Sequence, residues 1–211
     1  MKHEAVDTYN ACELGREGEQ REAKRFTSLI RSAKLVSTQG EFVCVVRDVA
    51  SKGISIRTFH DLPPDRHVAL ELQNGEIFEL ERVRAEGRVA SYTFDAPVAI
   101  ERLLHESWDH PKRQLRLNLA IPLVLSTLAG RVEGITQNLS QQGACVECDA
   151  GFAIDQTLRI EARHMPEIRA KVRWRRDMHY GLVFDNTFTL RDFALLAARL
   201  QSPALVSPDL S

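Results

Sequence analysis

The sequence is short of nearly everything that would mark an enzyme, a secreted protein or a membrane protein. Four cysteines in 211 residues do not make a disulfide framework. The expectation is a chain with reduced thiols, working in the cytoplasm. No apolar run approaches the ~18 residues of a membrane helix. The start, Met-Lys-His-Glu-Ala-Val-Asp, has no apolar stretch behind its charged residues, so no secretory signal is expected. Neither sign of charge is in excess: 28 Lys and Arg against 29 Asp and Glu leave a net charge of −1. That balance argues against a general nucleic-acid coat, and any anion site must come from local clustering of arginine. Missing too are a nucleophile–base pair, paired carboxylates around a pocket, and a phosphate loop opening a helix, so enzymatic activity is not expected. Cys145-Val-Glu-Cys148 has the spacing of a metal or redox motif but falls in an expected strand. Positions three apart there face opposite sides of a sheet, and no second pair accompanies it; neither a metal nor a cofactor is expected.

What the chain does have is a repeat. With 44% hydrophobic and 27% charged residues it has the composition of an ordinary globular protein, and segments ninety positions apart correspond. Asp48 to Gly53 reads Asp-Val-Ala-Ser-Lys-Gly, and Asn138 to Gly143 reads Asn-Leu-Ser-Gln-Gln-Gly. The same offset, without gaps, pairs Asp65 with Asp155, Glu71 with Glu161, and Phe94-Asp95 with Phe184-Asp185. A repeat of this length implies two modules, each of about 85–90 residues and able to bury its own core. The expected division is a mobile leader over 1–20, a first module over 21–104, a linker over 105–111, a second module over 112–201 and a frayed tail over 202–211.

Within each module the pattern is that of short strands. Phe42–Val46, Gly53–Ile56 and His67–Leu72 are strand-like, the last two alternating apolar and polar residues. Pro63-Pro64 marks a loop, and Asn74-Gly75 between two apolar runs signals a hairpin turn. Pro97, ahead of Val98 to Leu104, opens a short helix. The second module repeats the plan, with strands at 119–125, 134–136, 144–148, 157–161, 168–174 and 180–184. Trp174, within a strand, is expected in the core. Its neighbours Arg173, Arg175 and Arg176 form a basic patch. Leu190, Phe193, Leu196, Ala197 and Leu200 line one face of a terminal helix. Many short strands with turn residues between them predict small antiparallel barrels, because closure removes exposed edges. The fold class is mainly β: two barrels in tandem, each followed by a short helix.

Arginines precede the first strand of each copy: Arg21 and Arg25 in the first, Lys112, Arg113 and Arg116 in the second. Roughly 22 residues later come Asp48 and Gly53, or Asn138, Ser140 and Gly143. In these Arg-x-x-x-Arg and Asp/Asn-x-Ser-x-x-Gly signatures the chain resembles the PilZ family. The end of the second copy, where Ala170-Lys171-Val172-Arg173-Trp174 leads to Gly181-Leu182-Val183-Phe184, is similar to it as well. The resemblance covers nearly the whole chain twice, leaving out leader, linker and tail. It implies a six-stranded split β-barrel with a C-terminal helix in each copy, and a receptor for cyclic di-GMP.

The residue chemistry agrees with that ligand. Arginine pairs bidentately with phosphate or with the guanine O6/N7 edge, and it stacks on the base. Asp48 or Asn138 offers an acceptor to guanine N–H donors, and Ser140 a small hydroxyl. Gly53 and Gly143 are expected to supply a turn with φ > 0 and room for close approach.

Neither copy is complete. The first has Ala50 where serine belongs, and Ser51, one residue late, would face the other way. The second has Lys112 in place of the first arginine, a point charge that cannot fork, with Arg113 one position away. Binding by either copy, or by a composite site in which the linker arginines meet the first module, is consistent with these residues. The expected function is a cytoplasmic cyclic di-GMP receptor or adaptor that signals to an unidentified protein partner in motility, biofilm or exopolysaccharide control. The alternative is a degenerate interaction module that does not bind the nucleotide. Membrane insertion and nucleic-acid binding are not expected.

Overall fold

The computed structural model describes residues 26–104 and 114–207; Arg21, Arg25, Lys112 and Arg113 lie outside them. The first unit comprises β1 (Phe26–Ser37), β2 (Gly40–Ala50), β3 (Gly53–Thr58), β4 (His67–Glu71), β5 (Ile77–Glu86), β6 (Val89–Phe94) and α1 (Ile100–Leu104). Its strands form a closed antiparallel barrel in the order β1-β2-β3-β6-β5-β4. Closure runs through β1 and β4, with Leu35 opposite Leu70. Alternation does what the pattern requires: Ile54, Ile56, Ala90, Tyr92 and Phe94 point inward and pack with Leu35, Phe42, Leu70 and Leu80. The Asn74-Gly75 turn joins β4 to β5, with Gly75 at φ 88°.

The second unit comprises β7 (Arg116–Leu117), β8 (Pro122–Thr127), β9 (Gly130–Ser140), β10 (Gly143–Cys148), β11 (Thr157–Ala162), β12 (Ile168–Arg176), β13 (His179–Phe184) and α2 (Leu190–Gln201). Strands β8 to β13 close in the same order as their counterparts, and β7 adds beside β9. The ninety-residue offset carries through the fold. Strands β2, β3 and β6 begin at 40, 53 and 89, and β9, β10 and β13 at 130, 143 and 179. The one break lies in the first strand. Where β1 runs on through an irregularity between Thr27 and Arg31, the second copy leaves the sheet between Leu117 and Pro122. There the buried Thr136 hydroxyl donates to the Leu119 carbonyl and accepts from the Ile121 amide at 2.8 Å.

Four bulges interrupt the alternation, and they too repeat. Arg47 and Gln137 are extra residues opposite β3 and β10; Val83 and Arg173 are extra residues opposite β6 and β13. A bulge places two residues opposite one and re-aims every side chain beyond it. Trp174 is therefore not in the core. Ile168, Ala170 and Val172 point inward, Arg173 is the extra residue, and Trp174 emerges on the outside, 42% exposed.

Helix α2 starts at Thr189, whose hydroxyl accepts from the Asp192 amide at 3.1 Å, a regular N-cap. It belongs to both barrels. Phe193, Ala194, Leu196 and Ala197 pack in the second core, while Ala198 packs in the first. At its end Gln201 accepts from the Glu41 amide at 2.8 Å and donates to the Glu41 carbonyl at 2.7 Å. The segment after it is not frayed as expected. A 3-10 turn at Pro203–Leu205 buries Leu205 in the first core, and the Leu205 carbonyl accepts from the Asp61 amide at 2.8 Å. The Glu41 carboxylate meets Asn118 of the second unit through its amide at 2.7 Å and its side chain at 2.8 Å. Buried Lys34 holds that carboxylate at 3.2 Å and Glu71 at 2.9 Å.

Candidate functional site

The expected loop is a hairpin in both copies. β9 runs to Ser140, two glutamines turn, and β10 resumes at Gly143. Asn138 and Ser140 are thus strand residues, as is Asp48 in β2. Ser140 is buried, and its hydroxyl donates to the Gly143 carbonyl at 3.0 Å across the turn. The glycines are not needed for φ > 0: among the described glycines, positive φ falls at Gly40, Gly75, Gly87 and Gly130. They are needed for space. A Cβ on Gly53 would sit 2.9 Å from the Tyr92 carbonyl oxygen, and one on Gly143 would lie 3.3 Å from the Leu182 carbonyl carbon and closer still to its oxygen. Backbone cannot yield there as a flexible side chain can, so the neighbouring strand fixes both residues as glycine.

From this hairpin a continuous row crosses the outside of the second barrel. Arg116 pairs with Ser140 in register and donates from Nη1 to Asn138 Oδ1 at 3.2 Å. Asn138 stands opposite Cys145 on β10, Cys145 opposite Gly181 on β13, and Gly181 opposite Trp174 on β12. The indole lies over Gly181, where a Cβ would come within 2.5 Å of Trp174 Cδ1 and closer still to Nε1. The result is a guanidinium, an amide, a small thiol, a bare backbone and a flat aromatic ring in sequence. Burial pushes the Cys145 thiol pKa up, against the pull of Arg116, so this floor is uncharged. Lys171 and Arg176 lie exposed on the same strand as the indole.

Of the sequence candidates, Arg116, Asn138, Ser140 and Gly143 are brought together here. Arg116 bonds within its own barrel; it is Asn118, two residues further into the second module, whose side chain reaches the first barrel. Sequence reasoning missed Cys145, and it placed Trp174 in the core, although Gly181 exactly seven residues on carried the signal that something flat lies across it.

The first barrel offers the same row with different chemistry. Asp48 stands opposite Ser55, Ser55 opposite Ser91, and Ser91 opposite Arg84. Serine replaces the bare backbone, and Arg84, paired with Glu86 at 3.1 Å, replaces the indole. Asp48 and Gly53 therefore keep their register but have no aromatic surface beside them. Among the described residues no group of His, Cys, Asp or Glu is arranged to hold a metal ion, and no helix is long and apolar enough to cross a membrane.

Over residues 111–202 the sequence matches the profile of the PilZ domain. Residues 111–202, the second barrel with α2, are a PilZ domain. Domains of this kind are nucleotide-binding receptors or regulators, not enzymes. Among solved structures the chain is similar to PlzA of Borreliella burgdorferi in complex with c-di-GMP, at 9% identity and a TM-score of 0.33 over 82% of this chain and 87% of that one. It is also similar to the motility inhibitor MotI/DgrA of Bacillus subtilis, at 14% identity and a TM-score of 0.35 over 84% and 98%. YcgR of Escherichia coli in complex with c-di-GMP matches at 11% identity and a TM-score of 0.32 over 78% and 80%. No curated protein matches the sequence.

Proposed function

We propose that the chain is a cytoplasmic cyclic di-GMP receptor whose nucleotide site is the outer row on the second barrel. The observation that carries the reading is the unbroken register from Arg116 through Asn138, Cys145 and Gly181 to Trp174. Arg116, with Lys112 and Arg113 ahead of it, supplies cations for phosphate and for the guanine O6/N7 edge. Asn138 accepts from guanine N–H groups. The floor at Cys145 and Gly181 carries neither charge nor bulk, so a base can lie against it, and Trp174 gives that base a face to stack on. Ser140 acts chiefly by holding the hairpin through Gly143. The first barrel, with Arg84 and Ser91 in place of Trp174 and Gly181, is the docking partner of the second rather than an equal receptor; Arg21, Arg25, Asp48 and Gly53 belong to that weaker copy. The two modules occupy 21–104 and 112–201, and output passes to a protein partner in motility, biofilm or exopolysaccharide control.

Titration calorimetry of the intact chain with cyclic di-GMP tests the reading. One ligand site, lost in Arg113→Ala with Arg116→Ala and kept in Arg21→Ala with Arg25→Ala, is the expected result. Absence of both heat and thermal stabilisation at high ligand would overturn it.

A further inference from the structure

The repeat shows which surface of this barrel is built to be covered, because one copy covers it and the other does not. On the first barrel the outer face of β1 and β2 is occupied. Gly40 sits under Gln201, whose side-chain carbon would come 2.9 Å from a Cβ there. Glu41 is held by Asn118 and Gln201, and Gln39 accepts from Ser202 at 3.0 Å. Val43, although on the first barrel, is fully buried in the core of the second. Ninety residues on, the same face of the second barrel is open. Gly130 has the same left-handed backbone, φ 150° against 131°, with nothing near it. Arg131 and Glu133 stand where Glu41 is half-buried and Val43 fully buried, and both are exposed. Leu128, at the tip of the β8–β9 hairpin, is 111% exposed, and Ile135 beside the face is 37% exposed.

The face is grooved and carries charge of both signs. A groove of about 520 Å³ runs between Pro122, Val124, Glu133, Gly134, Glu161 and Arg163. Arg131 and Glu161 pair with each other at 2.8 Å. Glu133 and Arg163 line the same groove, yet neither makes an ion pair with any described residue. An apolar strip flanked by one unpaired carboxylate and one unpaired guanidinium is complementary to itself under a two-fold rotation, which is the condition an isologous contact must meet.

We propose that this face of the second barrel is a self-association surface: two copies of the chain pack β8–β9 against β8–β9. Pro122, Val124, Leu128 and Ile135 form the apolar centre, and Glu133 of each copy meets Arg163 of the other. The second copy is the fitting occupant because the groups that cover the equivalent face of the first barrel, Gln201 and Ser202 at the end of α2 and Asn118, are already used within the chain. The assembly does not depend on the nucleotide, whose row runs from Arg116 on β7 across β9, β10, β13 and β12.

Sedimentation velocity of the full chain over a concentration series, without nucleotide, tests this. The expected result is a concentration-dependent dimer. Leu128→Ser, which removes a side chain that touches nothing in the monomer, shifts the dissociation at least tenfold toward monomer. Glu133→Arg and Arg163→Glu, each placing like charges face to face, give monomer, and the double variant restores the dimer. A monomer at every concentration overturns the proposal. So does a dimer indifferent to all three single variants, since another surface would then be responsible. Cyclic di-GMP titration of the same variants reads separately on the nucleotide site, so failure of one reading leaves the other standing.

Discussion

Adding one methyl group at Gly181 puts the nucleotide row under direct strain. The new Cβ would lie within 2.5 Å of Trp174 Cδ1, where van der Waals contact needs about 3.5–4.0 Å. The indole, 42% exposed, is the freer partner and swings outward, while β13 stays in its ladder. Overpacking that a surface side chain can relieve costs about 1 kcal/mol, the low end of the core range. That lowers the melting temperature by roughly 4–8 °C for a domain of this size. The ligand suffers more, because base–aromatic stacking is worth about 1–3 kcal/mol, or roughly five- to a hundredfold in Kd. Calorimetry gives the affinity; emission from Trp174, one of two tryptophans, moves to the red as the ring enters water and reports that it has moved. Gly143→Ala is the contrast: its clash is with the Leu182 carbonyl, which has no such exit, so the barrel itself is destabilised. If Gly181→Ala displaces the indole and cyclic di-GMP still binds as tightly as before, the ring is not part of the site and the reasoning fails.

Three further outcomes are expected. Arg116→Ala loses a charge-assisted contact of roughly 1.5–3 kcal/mol and weakens cyclic di-GMP about ten- to a hundredfold, while Arg84→Ala at the matching site of the first barrel leaves the calorimetric isotherm unchanged. Glu41→Ala removes the carboxylate shared by Lys34 and Asn118; it costs about 3 kcal/mol in urea denaturation, the low end for breaking a buried pair, since Glu71 still holds the ammonium. His60 is fully buried with Nε2 unpartnered, and burial pushes its pKa below 6.5 despite the hydrogen bond to the Asp61 carbonyl. Its neutral form is the one the fold accepts. Stability is therefore full above the unfolded pKa of 6.5 and falls as pH drops below it toward the depressed folded value. His60→Phe removes that part of the slope below pH 6.5 in thermal melts.

The repeat made much of this legible. An offset of ninety, read from Asp48 to Gly53, Asp65, Glu71 and Phe94-Asp95, predicts the starts of β9, β10, β11 and β13 from those of β2, β3, β4 and β6, and period-two alternation assigns Ile54, Ile56 and Leu70 inward correctly. What escaped has a common physical cause. Alternation assumes an unbroken ladder, and the bulge at Arg173 inverts it, turning Trp174 from an expected core residue into a surface ring. Glycine has two uses, and sequence does not distinguish them: Gly75 serves a left-handed turn, whereas Gly53 and Gly143 make room for a neighbouring carbonyl. The end of the chain misled for another reason. Pro203 and Pro208 suggest fraying, but Leu205 finds its burial on the other barrel, a long-range contact with no local signature.

Helix α2 gives the duplication a direction it can no longer reverse. A lineage that doubles a self-sufficient barrel can lose either half again without harm. Here the end of the second copy fills part of the first copy's core, through Ala198 of α2 and Leu205 of the turn that follows it. Loss of the second copy would therefore open the first copy's core where Ala198 and Leu205 now sit.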